Sequence, residues 1–424
     1  MALVRLVLAG ALAVSMGCGA KTGLYVPDGG DDGLNRADSS FDAGVDAPMM
    51  DAAIDVPCIE VPFDGGPVEV DLEVEAEVGA ADIIFLIDVS ASMGEEIERI
   101  RSRLRDQLSI AIDNAIPDSR LAVATFVDFP VGRHGSAAAG DNPFELRRPA
   151  TEDLASLQAA VDSITLGDGG DIQESQVEAL FQLATGAGRG TFIPPSAGCP
   201  MGGLGYACVR RNALPIVLLF TDAAFHNGPG GSAPYGRDVI PTPATYDEAV
   251  SALNALDMVV IGFDSGDGVA RRDLEQIAAD TSRTTEPLVF DIGTRGQRLG
   301  TQVVSAIETF AGTIEQDIDA ILLDGDPADG INALDLVEAI VPLRASPPDG
   351  VGGIDVDAAV FRDAQAGTLL TWQIVVRNDV VAPGPRPQRV RLEVVFRGDM
   401  RRRIRREFID IVIPGEDGTG CEGL

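Results

Sequence analysis

The readable part of the chain opens on strict alternation. In "VEVDLEVEAEV", Val68 to Val78, every even-numbered position is apolar and every odd one is acidic, which predicts a strand with one face exposed. A few residues later the period is lost. Ile83 to Ile87 form an unbroken apolar run, the pattern of a parallel strand covered on both faces. From there strand and helix periods take turns. Ile83–Val89, Leu121–Phe129, Ile216–Thr221, Met258–Phe263 and Leu288–Asp291 read as strands. Glu95–Ala115, Leu154–Ile164, Val177–Thr185, Tyr246–Leu256, Ala270–Asp280 and a long segment from about Thr301 to Ile318 read as helices. This order predicts an α/β fold, a doubly wound and mostly parallel sheet spanning 80–318. Beyond it, "IDVDAAVF", "LLTWQIVVRND", "RVRLEVVFRGD" and "EFIDIVIP" are short strands between Pro- and Gly-rich turns, and 319–424 reads as a small β-sandwich. The strand segment at 58–79 is a candidate to join that sandwich.

The first residues follow a different logic. "MALVRLVLAGALAVSMGCGA" has Arg5, an apolar run from Leu6 to Val14 and small residues before Cys18. The run is too short to span a bilayer and reads as a signal peptide over 1–18. Its Gly17-Cys18 ending resembles a bacterial lipoprotein signal, which implies lipidation at Cys18 and a chain held at the cell envelope, at the outer membrane or cell surface. Plain secretion is the alternative. The stretch 19–57 carries eight aspartates, no glutamate and scattered Gly and Pro, a composition that cannot bury enough apolar surface to order itself. It reads as a self-repelling tether.

Composition removes several functions. A net charge of −34 over 424 residues argues against nucleic acid, and against docking on an anionic membrane except through a lipid. Lys21 is the only lysine and stands in the tether, so neither a P-loop nor a pyridoxal Schiff base has its residue. With only His134 and His226, the chain offers no set of imidazoles for a zinc site, and His226 reads as a loop residue. Four cysteines remain after Cys18 in an exported, oxidising setting. Cys199 and Cys208 bracket "CPMGGLGYAC" and are expected to close that loop; Cys58 and Cys421 are then expected to clip the ends of the folded region together.

Candidate chemistry begins where the first buried strand ends. Asp88-x-Ser90-x-Ser92 places one carboxylate and two hydroxyls on a single turn before a helix, and small oxygen ligands suit a hard cation. "GDGGDIQES" sets Asp171 and Glu174 after a glycine-rich turn, and "LLFTDAAFH" ends another apolar strand in Asp222. These residues, with "FVDFPV", resemble the von Willebrand factor A domains, most of all the β-subunit I-like domain of integrins, from roughly Ala80 to Asp317.

The resemblance implies a metal-ion-dependent adhesion site at Asp88, Ser90, Ser92, Glu174 and Asp222, holding Mg2+ or Mn2+. It implies Ca2+ at adjacent sites formed by Glu95 and Glu96 and by Asp128 and Asp171. Departures are visible: glutamates at 95 and 96 replace the family's aspartates, Gly169 stands for asparagine, and Gln173 for proline. The loop that selects ligands in integrins is short here and lacks cysteine. The implied function is divalent-metal-dependent adhesion or ligand binding, with a partner carboxylate at the metal and no enzyme activity. The alternatives are a metal-dependent hydrolase or a calcium-stabilised structural surface protein. The tripeptide Arg397-Gly398-Asp399 reads as a hairpin turn rather than a recognition motif.

Anchoring can be tested directly. Clickable palmitate should label cells expressing the wild type and not Cys18→Ser, since stable attachment needs more than one acyl chain. A fully soluble, unlabelled wild type would remove the anchor.

Overall fold

The computed structural model describes residues 56–423. The expected signal segment, Cys18 and the tether as far as residue 55 lie outside the described residues. Among the described residues no helix is long and apolar enough to cross a membrane.

The chain starts with β1 (Cys58–Glu60) and β2 (Val68–Glu75), then enters the α/β part through β3 (Ala80–Asp88). Helix follows as α1 (Gly94–Arg103) and α2 (Ser109–Ala115), joined without interruption by a wide turn at Leu104–Leu108. Next come β4 (Asp118–Phe126), β5 (Glu145–Thr151), α3 (Leu154–Asp162), the two-residue β6 (Gln173–Glu174) and α4 (Gln176–Thr185). Then β7 (Leu214–Thr221), β8 (Ala224–Phe225), α5 (Tyr246–Ala255), β9 (Val259–Asp264), α6 (Arg271–Asp280), β10 (Val289–Asp291) and α7 (Leu299–Thr313) complete this part.

Its main sheet has the order β10-β9-β7-β3-β4-β5, parallel except for β5, which runs antiparallel at the edge. The unbroken apolar run of β3 has a simple cause. Ile83, Phe85 and Ile87 pack with α1, α2, α3 and α7, whereas Ile84 and Leu86 pack with α4, α5 and α6. Both faces are covered, so both sets of side chains must be apolar. β3 and β7 are neighbours, but the chain leaves β3 toward β4 and leaves β7 toward β9. Their carboxyl ends therefore flank the crevice where the direction of winding reverses, the place where ligands settle in such sheets.

The remaining strands are β11 (Glu315–Asp324), β12 (Val337–Ser346), β13 (Gly353–Asp355), β14 (Val360–Gln365), β15 (Leu369–Val376), β16 (Gln388–Gly398) and β17 (Arg402–Ile413). They form a six-stranded sheet, β1-β17-β16-β11-β14-β13, and a three-stranded one, β12-β15-β2. Both feed one core around Trp372, Phe361 and Phe396. Since β2 and β11 belong to these sheets, the α/β part is inserted between them in sequence. The alternation of Val68–Glu75 has its explanation here: Leu72 and Val74 face the core while Asp71 and Glu73 meet Arg344 on the outside.

Several expectations change. The last helix of the α/β part stops at Thr313 rather than Ile318, because residues from Glu315 pair with β14 and β16. A strand pairing across 80 residues overrides the local helical period, and the boundary moves back by a few residues. β5, β11 and β12 were not foreseen. "IDVDAAVF" is not one strand but the hairpin β13–β14, turned at Ala359 with φ +53°. In β17, Arg402 is buried, hydrogen-bonded to Gln316 and paired with Asp399. Arg397 and Asp399 are held by Asp319, Arg402 and the Asp317 amide, so the tripeptide's charges are used inside the fold.

Two disulfides join Cys58 to Cys421 and Cys199 to Cys208, at sequence separations of 363 and 9. In the chain-entropy account the first closure is worth about 6 kcal/mol and the second about 3 kcal/mol. Replacing Cys58 and Cys421 by serine should cost the β part about 2–5 kcal/mol, a typical measured loss, read by urea unfolding at Trp372. An unchanged midpoint would mean that the β1–β17 pairing holds the ends without the bond.

Candidate metal centre

Asp88 is the last residue of β3 and is fully buried. Beyond it the chain turns so that the Ser90 amide donates to Asp88 Oδ1 at 2.9 Å, while the Ser90 and Ser92 hydroxyls sit 3.1 Å apart. The other oxygen, Oδ2, accepts from the Thr221 hydroxyl at 2.7 Å. Thr221 ends β7 and in turn accepts from Gln176 Nε2 at 3.0 Å. This relay from Gln176 through Thr221 orients the Asp88 carboxylate. Sequence reasoning missed both residues; the only signal was that Thr221 directly precedes Asp222.

Glu174 arrives from the other side. β6 pairs with β8 just beyond the ends of the main strands, and the His226 amide donates to the Glu174 carbonyl at 2.9 Å. Ser175 anchors the turn, its hydroxyl donating to the Val127 carbonyl at 2.7 Å. Gly169, with φ +65°, brings bare backbone against the carboxylate: a Cβ there would lie 2.5 Å from Glu174 Oε1. Glu174 is buried, and its Oε2 has no hydrogen-bond partner.

Asp222 thus acts on Asp88, and Asp88 on Glu174. Burial, followed by the charge of Asp222, pushes Asp88 up to about 7. Burial and then Asp88 push Glu174 up to about 11. An orphaned carboxylate oxygen, two hydroxyls and mutually repelling acids form a donor set that fits a hard divalent cation. Asp88, Ser90, Ser92, Glu174 and Asp222 are the residues that would hold it.

The neighbouring acids divide differently. Glu95 is exposed, 3.7 Å from Arg295, whereas Glu96 is buried beneath Ser265, whose hydroxyl donates to Oε1 and leaves Oε2 unpartnered. Burial raises the Glu96 pKa. Only Glu96 of this pair faces inward.

Asp128 and Asp171 meet, and both histidines join them. Ligand atoms of Asp128, His134, Asp171 and His226 all lie within 4.8 Å of one another. Both histidines thus lie against these acids, a meeting that the sequence does not announce. Burial, opposed by hydrogen bonds from Tyr235 and the Phe129 amide, pushes Asp128 up to about 8. His134 is pushed below its usual value by burial and by His226. The approach of the two loops requires Gly170, where a Cβ would lie 2.2 Å from the Arg133 carbonyl oxygen. Asp141 fastens them, accepting from the amides of Ser136, Asp168 and Gly169.

No family model matches the chain, and no curated protein matches it. Among solved structures, it is similar to a von Willebrand factor type A protein from Catenulispora acidiphila, at 12% identity and a TM-score of 0.37, covering 84% of this chain and 72% of that one. Proximal thread matrix protein 1 from the mussel byssus matches at 16% identity and a TM-score of 0.35, over 59% of this chain and 51% of that one. The pilus adhesin SpaC from Lactobacillus rhamnosus GG, in its open conformation, matches at 13% and 0.33, over 84% and 46%. The chain therefore spans about half the length of the last two. Likenesses this distant settle neither family nor function.

The raised carboxyl pKa values have a consequence for the metal-free chain. Folded Asp88 and Asp128 hold protons at pH values where the unfolded chain, near 3.8, has released them. Their contribution to stability is therefore complete below about pH 4 and is lost as the pH rises through about 7 and 8. After chelation, the unfolding temperature should fall between pH 5 and pH 8, and Asp88→Asn should flatten that fall. A midpoint that rises over this range would contradict the assignment.

Proposed function

We propose that the chain is a divalent-metal-dependent adhesion or ligand-binding protein. In this reading its α/β part is a doubly wound domain of the von Willebrand factor A type, with an adhesion site like that of the integrin β-subunit I-like domain. Its outer part is a β-sandwich, and its N-terminal segment tethers it to the cell envelope through a lipid on Cys18.

The observation that carries the reading is the pair of buried carboxylates Asp88 and Glu174, the charge of the first acting on the second, with Glu174 Oε2 buried and unpartnered. The two acids come from two separate stretches of sequence, and no cationic side chain is paired with Asp88 or Glu174 among the described residues. A buried carboxylate cluster without arginine or lysine is costly unless protonated or bound to a cation. Bound there, Mg2+ or Mn2+ would offer an open coordination position to a carboxylate of a partner. The protein's own residues hold and orient: Thr221 and Gln176 fix the Asp88 carboxylate, and the β6–β8 pairing fixes Glu174. The proposal is binding rather than catalysis, with a protein or other acidic ligand as partner. Glu96 and its neighbourhood are proposed to take Ca2+.

Mg2+ should raise the unfolding temperature, the gain in stability reaching about 2.7 kcal/mol at a concentration one hundred times the dissociation constant. Asp222→Ala should abolish this response while leaving the metal-free chain folded, because Asp222 is only half-buried and contributes no core packing. Ser90→Ala should weaken it less, since a hydroxyl brings no charge. Calorimetric titration of the three proteins measures the set, and binding to immobilised surface extracts in Mg2+ and then EDTA measures the function. Unchanged Mg2+ affinity in Asp222→Ala would remove the site from consideration.

A further inference from the structure

We propose that Asp128, His134, Asp171 and His226 form a second metal site of a different class, one that takes zinc. The resemblance implies calcium near Asp128 and Asp171, held by oxygen ligands; this chain instead presents two imidazoles and two carboxylates. Imidazole nitrogen suits zinc and its transition-metal neighbours, whereas calcium and magnesium take oxygen.

Geometry carries the proposal. A tetrahedral zinc ion with bonds of about 2.0–2.1 Å keeps its ligand atoms about 3.3 Å apart. His226 Nε2 lies 3.1 Å from Asp171 Oδ1 and 3.4 Å from Asp128 Oδ2, and His134 Nδ1 lies 3.1 Å from Asp171 Oδ2. His226 Nδ1 is 2.8 Å from the Ala233 carbonyl, an acceptor only, so Nδ1 carries the proton and donates it. In the neutral ring Nε2 is then a bare lone pair turned toward Asp128 Oδ2 and Asp171 Oδ1, so either a proton or a cation must lie between these acceptors, and a bound metal ion takes the proton's place. A ring whose remote N–H is spoken for by a backbone carbonyl is also the usual outer-shell support of a metal-bound histidine.

An independent observation points the same way. Asp128 is fully buried; its Oδ1 accepts from both the Phe129 amide and the Tyr235 hydroxyl, whereas Oδ2 has no hydrogen-bond partner and faces the cluster. Tyr235 stacks on His226 with ring centres 4.2 Å apart and sets the ring's tilt. Asp171, one-fifth exposed, is the open side through which an ion enters, with Arg133 3.7 Å away toward solvent. Zinc here would bind together the loop after β4, the turn before β6 and the end of β8, which carry the residues around Glu174.

The full chain, stripped with a chelator and returned to buffer, is titrated with Zn2+ alone. One ion should bind per chain at this site, and His226→Gln and His134→Gln should each weaken it at least about 100-fold. Titration with Co2+ should give the intense visible absorption of a four-coordinate ion in the wild type, a readout that needs no variant to fold. Asp171→Asn, on the exposed side, provides a third variant that spares the buried packing. Asp222→Ala should leave zinc affinity unchanged, which separates this site from the proposed Mg2+ site. No zinc binding by the wild type, a six-coordinate Co2+ spectrum, or full affinity in both histidine variants would overturn the proposal. Loss of zinc in Asp222→Ala would assign the ion to the other crevice and overturn it equally.

Discussion

A carboxylate taken out of water beside other carboxylates must be protonated or must meet a cation, and the organisation of this protein follows from that constraint. Asp88 and Glu174 are buried at the end of a sheet that is apolar on both faces, where little solvent screens them. Asp222 raises the affinity of Asp88 for a proton, and Asp88 raises that of Glu174. Such a site stores repulsion that a suitable ion releases, so ion binding and folding stability share one free energy.

Holding the acids together requires rigid support. β3 and β7 are central strands, covered by helices on both faces and paired in parallel register along their length. Glu174 stands on no such element. It depends on a two-residue pairing with β8, on Ser175 and on the close backbone approach at Gly169. The same turns carry Asp171 and abut His134, so the two proposed cation sites share a scaffold although their ligand chemistries differ. One is built of oxygens and the other mixes imidazole with carboxylate.

The outer sheets serve a different end. By taking β2 from before the α/β part and β11 from after it, they bring both ends of the insertion to one place. The Cys58–Cys421 bond closes the outer part in the same sense. Arginine pairs with aspartate along its strands, as at Arg391 and Asp410 and at Arg397 and Asp319, offsetting part of the acidic excess locally.

By itself the sequence determined the elements whose signal is local. The run Ile83–Ile87 announced a doubly covered strand, the alternation of Val68–Val78 a half-exposed one, and Asp88, Ser90 and Ser92 a cluster of oxygens on one turn, because each depends on spacing within a few residues. Cys199 and Cys208 were legible for the same reason. What only the tertiary structure decided was set by partners distant in the chain. The end of α7 at Thr313 is imposed by pairing of Glu315 onward with strands tens of residues away. Arg402 is buried because Gln316 and Asp399 receive it. Thr221 and Gln176 acquire their role only when β7 lies beside β3. His134 and His226 stand 92 positions apart in sequence and carry no motif; two loops pressed together at Gly170 bring their rings to 4.9 Å. Spacing along a chain cannot encode that meeting, since it depends on where the sheet delivers each loop.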